Sequence, residues 1–206
     1  SGGLDSCTVT HWLHQNGVNV HCFTVDLGQP DEENLQAVAD RMMACGASEA
    51  TIVPGQEMLA DAGLKVLQAQ ARYEGGYWNT TGIARPITVK AILKRLQDND
   101  INVLFHGATG RGNDQVRFQL TSNILQPGMD VYAPWRDQEF LDKFPGRQQM
   151  IDYCELNNLP IRPARESRYS TDANFLGLTH EAGDLEDVSI SPDFVEPGMG
   201  VWPWDA

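Results

Sequence analysis

Residues 101–114 read INVLFHGATGRGND. Ile101, Val103, Leu104 and Phe105 have the composition of a buried strand, which runs without a break into a loop carrying Gly107, Gly110 and Gly112. A helical pattern then takes over from Gln115 to Ile124. A buried strand that passes through a glycine-rich loop into a helix is the repeating unit of an α/β fold. Its loop falls at the carboxyl end of the strand, where parallel sheets bind ligands.

The same alternation extends outward from this unit. In VNVHCFTVDL (18–27), Val18, Val20 and Cys22 alternate with polar neighbours, as in a strand; GQPDEEN (28–34) is a turn with an acidic first helical turn. Leu35, Val38, Met42 and Cys45 mark one helical face, ATIVP (50–54) is a short strand, and Met58 to Ala71 is a helix. Val89, Ile92, Leu93 and Leu96 form another helical stripe, MDVYAP (129–134) a strand, and helical segments surround Phe140 and Met150. RYEGGYWNTTGIARP (72–86) breaks the rhythm as a loop, and periodicity fades from Ser167 onward. Strand and helix thus alternate over roughly the first 135 residues, which predicts a doubly wound parallel sheet with helices on both faces.

SGGLDS (1–6) repeats the glycine-loop chemistry. Gly2 and Gly3 let successive N–H groups converge on an anion at the start of a helix, and Ser1 and Ser6 add hydroxyls. The P-loop lysine of the GxxxxGK[ST] pattern is absent, so a P-loop nucleoside triphosphatase does not fit. No strand precedes this loop, and the expectation is that the chain starts just where its chemistry does. In the second loop Thr109, Asn113 and Asp114 supply a hydroxyl, an amide and a carboxylate, and Arg117 follows one helical turn on. Taken alone, YSTDANFLGLTHEAGDLE (169–186) reads as a solvated loop and YEGGYWNTTGIARP as a surface loop over Tyr77 and Trp78.

The 206 residues are 41% hydrophobic and 21% charged, a globular composition. No apolar run approaches the ~20 residues that span a bilayer, so no membrane partner is expected. The net charge of −13 argues against a nucleic-acid partner, which wants a basic face. Cys7, Cys22, Cys45 and Cys154 have neither CxxC nor zinc spacing; the expectation is reduced thiols in a cytoplasmic protein, with no protein-borne metal.

Together, SGGLDS, LGQPDEEN, NTTGIARP, GATGRGNDQVRF and YSTDANFLGLTHEAGDLE resemble the argininosuccinate synthase family of N-type ATP pyrophosphatases, in that family's order and across nearly the whole chain. The resemblance implies an adenine nucleotide alpha hydrolase-like domain at 1–160, its first strand lacking, and the start of a truncated synthetase domain at 161–206. It implies an ATP-dependent carbon–nitrogen ligase that joins citrulline and aspartate through citrullyl-AMP, releasing AMP and pyrophosphate. Mg2+ is expected with ATP, and the parent protein is expected to be a homotetramer. Residue by residue, Ser1, Gly2, Gly3, Leu4, Asp5 and Ser6 become the pyrophosphate loop, and Val25, Gly107, Thr109, Asp114 and Asp172 further ATP contacts. Thr109, Asn113 and Asp114 take aspartate; Tyr77, Asn113, Arg117, Ser170, Thr179 and Glu181 take citrulline. No covalent nucleophile is implied.

The chain departs from the family pattern at DSC, where DTS is common, at Arg111 for lysine, and in YWNTTGIAR for LGTSLAR, the loop through which Tyr77 and Thr81 are carried over. Two alternatives stay open: a tRNA sulfur-transfer enzyme on the same core, and a non-catalytic adenine-nucleotide-binding module.

Overall fold

A computed structural model describes residues 2–30, 34–108, 112–161, 168–202 and 205. Helix α1 (Leu4–Gln15) leads to β1 (His21–Asp26), α2 (Leu35–Ala44), β2 (Glu49–Pro54) and α3 (Gln56–Gln68). After a loop come α4 (Ala84–Asp98), β3 (Val103–Phe105), α5 (Asp114–Leu125), β4 (Asp130–Tyr132), α6 (Gln138–Lys143) and α7 (Arg147–Leu156). Strands β5 (Ser170–Asn174) and β6 (Gly177–Glu181) close the described elements, with short 3-10 turns around them.

β1 pairs in parallel with β2, from His21 opposite Glu49 to Asp26 opposite Pro54. β3 pairs in parallel with β4, from Val103 opposite Asp130 to Phe105 opposite Tyr132. Side chains alternate across each strand, and the packing follows that period. Phe23 and Val25 join Leu27, Val53 and Leu59 against Ile87, Ala91, Ile92 and Leu96 of α4. Cys22 and Phe105 turn instead toward Val9, Trp12 and Leu13 of α1, with Phe140, Phe144 and Met150. Helices therefore cover both faces of parallel strands, as the alternation of sequence patterns predicts.

The two parallel ladders do not join: β1 and β3 share no hydrogen bonds among the described residues. Between them lies a cavity of about 1130 Å³. Residues 18–25 of the β1 segment and 99–108 of the β3 segment line it along their length, with Thr10 and Leu13 of α1 on one side and Val89, Ile92 and Leu96 of α4 on the other. Period-2 patterning says which face of a strand is buried, not which edge meets which, so that patterning does not reveal the gap.

Two differences from the sequence reading bear on the site. α4 begins at Ala84 rather than near Val89, with Pro86 inside its first turn, where the missing N–H would have no intrahelical partner anyway. The segment read as a solvated loop is an antiparallel hairpin, in which Asp172 lies opposite Thr179 and Ser170 opposite Glu181. The hairpin is docked: the Phe175 N–H donates to the Leu27 carbonyl at 3.1 Å. Asn174, 2% exposed, donates from Nδ2 to the Thr80 carbonyl at 3.0 Å and accepts from the Leu176 N–H at 2.9 Å. Leu176 packs on the α4 layer.

A third apolar cluster gathers Cys7, Cys45 and Cys154, all fully buried, with Met42, Ala47 and Leu159. The Cys7 thiol donates to the Gly2 carbonyl at 3.6 Å, and Cys154 meets the Thr8 hydroxyl at 3.2 Å. A hydrogen bond from Cys45 and the nearby Arg41 charge lower the Cys7 pKa against the effect of burial.

Candidate functional site

The glycine turn ahead of α1 is held from outside. Gly2 has a left-handed φ of +64°, and a Cβ there would lie 2.8 Å from Arg41 Nη1 and 3.0 Å from Val38 Cγ1. Arg41 Nη1 also donates to the Gly2 carbonyl at 2.8 Å, which fixes the turn from α2. Gly3, by contrast, is extended at φ −81° and ψ −178°, so only the first glycine of the pair is required by backbone angle. Gly3 takes the N-cap position without a side-chain cap, so the first amides of α1 receive no acceptor from it, as an anion site at a helix start requires. Leu4 opens the helix and packs at the edges of two core clusters.

The two glycine loops converge. A Cβ on Gly107 would come to rest 3.7 Å from the Asp5 Cβ, an ordinary contact. Asp5 is half-buried, and burial raises its carboxyl above the usual range, an effect its backbone hydrogen bond and Arg147 only partly offset. Asp5, Ser6, Val25, Gly107 and Asp114 all line the cavity between β1 and β3. The Val25 side chain is 5% exposed within the α4 layer, and its carbonyl accepts from Gln29 Nε2 at 2.8 Å. Val25 therefore forms wall rather than polar contact.

Beyond Gly107 the structure organises charge. Asn113 stands at the N-cap of α5 with helical angles and makes no side-chain cap bond, so its amide is not consumed in capping. Asp114 accepts from Arg117 Nη1 on Oδ1 at 2.6 Å and from Arg85 Nε on Oδ2 at 2.7 Å. Arg85 also donates from Nη2 to Asp172 on β5. Burial alone would push the Asp114 carboxyl up; Arg85 and then Arg117 outweigh it and hold Asp114 below the usual carboxylate range. Arg85 in turn is held charged against burial by Asp172 and Asp114.

A polar cluster adjoins this chain of charges. The Tyr77 hydroxyl and the Thr81 hydroxyl lie 2.5 Å apart, and Thr81 Oγ1 is 3.4 Å from Thr179 Oγ1. The second arm of Arg117 passes over Gly82, with Nη2 3.4 Å from where a Cβ would be. Because opposed residues of an antiparallel pair share a face, Ser170, Asp172, Thr179 and Glu181 all project from one side of the hairpin. The structure thus gathers Tyr77, Arg117, Asp114, Asp172 and Thr179. Ser170 and Glu181, exposed, stand one same-face step from Asp172 and Thr179 toward the open end of the hairpin. Ser1 and Thr109 lie outside the described residues.

Three participants escaped the sequence reading. Arg85 sits inside the NTTGIARP stretch but reads as a lone cation before a proline. Asn174 reads as a loop residue. His106, 7% exposed, stacks on Phe118 with ring centroids 4.8 Å apart and accepts on Nδ1 from the Ala108 N–H at 3.2 Å. Burial lowers its pKa to about 4, partly opposed by Asp114. A neutral imidazole therefore pins the backbone at the start of the second glycine loop. The signal was available: a histidine at the last position of a buried strand, one residue before the glycine.

Among the described residues no group of three or more His, Cys, Asp or Glu side chains stands close enough to hold a metal ion. No helix among them is long and apolar enough to cross a membrane.

The family model described as "Arginosuccinate synthase N-terminal HUP domain" matches residues 1–160. Over its whole length the chain is 42% identical to the argininosuccinate synthase of Rhodopirellula baltica (strain DSM 10527 / NCIMB 13988 / SH1), of which the aligned region is 51%. The chain spans about half the length of that curated relative. Convergent glycine loops, charge-clamped Asp114 and the matched sequence agree, and the chain belongs to the argininosuccinate synthase family.

Proposed function

We propose that this chain carries the nucleotide-binding half of an ATP-dependent carbon–nitrogen ligase that joins citrulline and aspartate to form argininosuccinate. The observation that carries the proposal is the convergence of the α1 glycine turn, Gly107 and the Arg117–Asp114–Arg85–Asp172 charges on one region. In the first step the ureido oxygen of citrulline attacks the α-phosphorus of ATP, the bond to the β-phosphate oxygen breaks, and pyrophosphate leaves. In the second step the aspartate amino nitrogen attacks the ureido carbon, and AMP leaves with the bonding electron pair while the amine gives up a proton.

The roles follow from the chemistry of each group. Amides at the N-terminus of α1 stabilise charge gathering on the departing pyrophosphate. Asp114, kept ionised, attracts the ammonium of aspartate, with Asn113 and Thr109 as further polar contacts. Arg117 offers a fork to a carboxylate of citrulline, and Tyr77, Ser170, Thr179 and Glu181 complete its pocket. With no nucleophile among these groups, catalysis is positioning and charge stabilisation. Mg2+ would come with ATP on phosphate oxygens. Residues 161–206 are read as the opening of a second domain, and the parent as a cytoplasmic homotetramer of arginine biosynthesis or the urea cycle. A sulfur-transfer chemistry would need an accessible cysteine; Cys7, beside the glycine turn, is fully buried.

The test uses the product of the complete reading frame with ATP, citrulline and aspartate. Citrulline-dependent release of pyrophosphate and formation of argininosuccinate are expected. Release of orthophosphate from the γ-position, or nucleotide binding without response to citrulline, would overturn the proposal.

A further inference from the structure

Arg85 is the one described cation whose fork closes on two carboxylates from distant parts of the chain, Nε on Asp114 of α5 and Nη2 on Asp172 of β5. We propose that Arg85 is a positioning residue for the site: its fork sets the β5–β6 hairpin, and the polar face that hairpin presents, against the glycine loops. The proposal rests on the synthase reading for what the positioned groups do, and on the ion pairs alone for the positioning itself.

Three observations support it. Two hydrogen-bond anchors of the hairpin, the Phe175 N–H to the Leu27 carbonyl and the Asn174 side-chain amide to the Thr80 carbonyl, are at its turn end. At the level of Asp172 and Thr179 the links to the core include the Arg85 fork and the 3.4 Å approach of Thr179 to Thr81. A turn-end hinge leaves the angle of the hairpin to that second level, and the face bearing Ser170, Asp172, Thr179 and Glu181 turns with it.

The chemistry of the fork is also specific. Two parallel N–H directions on a planar group satisfy two carboxylates at once, which a single ammonium on a flexible stem does not reproduce. Finally, Arg85 and Arg117 together neutralise Asp114 and Asp172. Without Arg85, two carboxylates with one cation would face a polyphosphate, and repulsion would weaken nucleotide binding.

The experiment compares Arg85→Lys, Arg85→Met, Asp172→Asn and the Arg85→Met/Asp172→Asn pair in the product of the complete reading frame. Arg85→Met is expected to raise the KM for ATP and for aspartate about tenfold or more, with kcat also reduced, and Arg85→Lys to recover only part of the loss. Asp114 is faced by Arg85 from α4, Arg117 from its own helix and His106 just after β3, and Arg85 links it to Asp172 on β5. Loss of Arg85 therefore moves the acid limb of the kcat/KM profile to higher pH, as Asp114 returns toward ordinary carboxylate values. A residue that only supported the fold would lower the melting temperature and leave that limb in place.

The pair supplies a readout independent of turnover. Asp172→Asn should lower the melting temperature less in the Arg85→Met background than in the wild type, because the ion pair is already gone. Additive shifts, or Arg85→Met with wild-type KM values and pH profile, would overturn the positioning role. Absence of argininosuccinate formation in the wild type would instead sink the synthase reading, and the melting cycle would still decide Arg85.

Discussion

The gap between β1 and β3 predicts that a strand supplied from outside this chain stabilises it. Residues 18–25 and 99–108 line the cavity from either side, and side chains of α1 and α4 close it above and below. An extended segment of about six residues would pair with parallel neighbours on both sides, as in strand addition to an open sheet edge. Four Val or Ile side chains buried in the two layers are worth about 6–12 kcal/mol gross, comparable with the whole ~5–15 kcal/mol stability of a domain. Gly107 and Asp5 are neighbours, so a strand running parallel to β3 ends beside the start of α1. Fusing such a strand ahead of Gly2 is thus as reasonable as adding it as a peptide. The perturbation is therefore a Val/Ile-rich hexapeptide with lysine flanks, added or fused, and a control with a central proline that cannot donate to the ladder. At a peptide concentration of about 100 times Kd the linkage gain is about 2.7 kcal/mol, or a rise of about 5–10 °C in melting temperature for a chain of this size. Residues 1–206 alone should melt broadly and show no turnover. A sharp transition at an ordinary mesophilic temperature, unmoved by peptide or fusion, would refute the reasoning.

Three further outcomes are expected. His106 has a folded pKa of about 4 against 6.5 unfolded, so the unfolded state binds more protons between those values; stability falls by about 3 kcal/mol as pH drops from 6.5 toward 4, and His106→Gln flattens that slope in denaturant titrations. Asp114→Ala should slow argininosuccinate formation about 10²-fold, more than it slows ATP–pyrophosphate exchange, and cost about 1–3 kcal/mol in chemical denaturation because Arg117 and Arg85 lose a shared acceptor. Gly2→Val should cost about 1–3 kcal/mol through its positive φ, while Gly3→Ser at an extended N-cap stays within a few tenths; equal losses in thermal melts would contradict the backbone argument.

The sequence made the alternation of β1 to β4 with their helices legible because each unit fits a single period and ends in turn chemistry. The strand-to-helix passage at Phe105–Asp114 is the clearest case: apolar run, glycines, then a charged first turn. Where meaning depended on partners far along the chain, it was hidden. The β5–β6 hairpin carries polar residues on its site-facing side and has no apolar alternation to betray it; what orders it is Asn174 reaching Thr80 and Leu176 entering the α4 layer. Arg85 is conspicuous only once Asp114 and Asp172 stand on either side of it. Family motifs grouped Tyr77, Arg117 and Thr179, which the structure also brings near one another, while the backbone requirement at Gly2 rather than Gly3 came from geometry alone.

The buried thiols turn the glycine turn into a clock. Cys7 lies directly under the Gly2 carbonyl and touches no solvent, so an alkylating reagent meets it only in molecules whose α1 terminus has momentarily lifted. Cys45 and Cys154 share its burial but are tied to α2 and α7, away from the frayable start of α1. With the half-buried Cys22 replaced by serine, modification should therefore start at Cys7, at a rate set by the opening of the turn above it. Any ligand that grips that turn would be read directly as a slowing of the label, without a chromophore, a coupled enzyme or knowledge of the ligand.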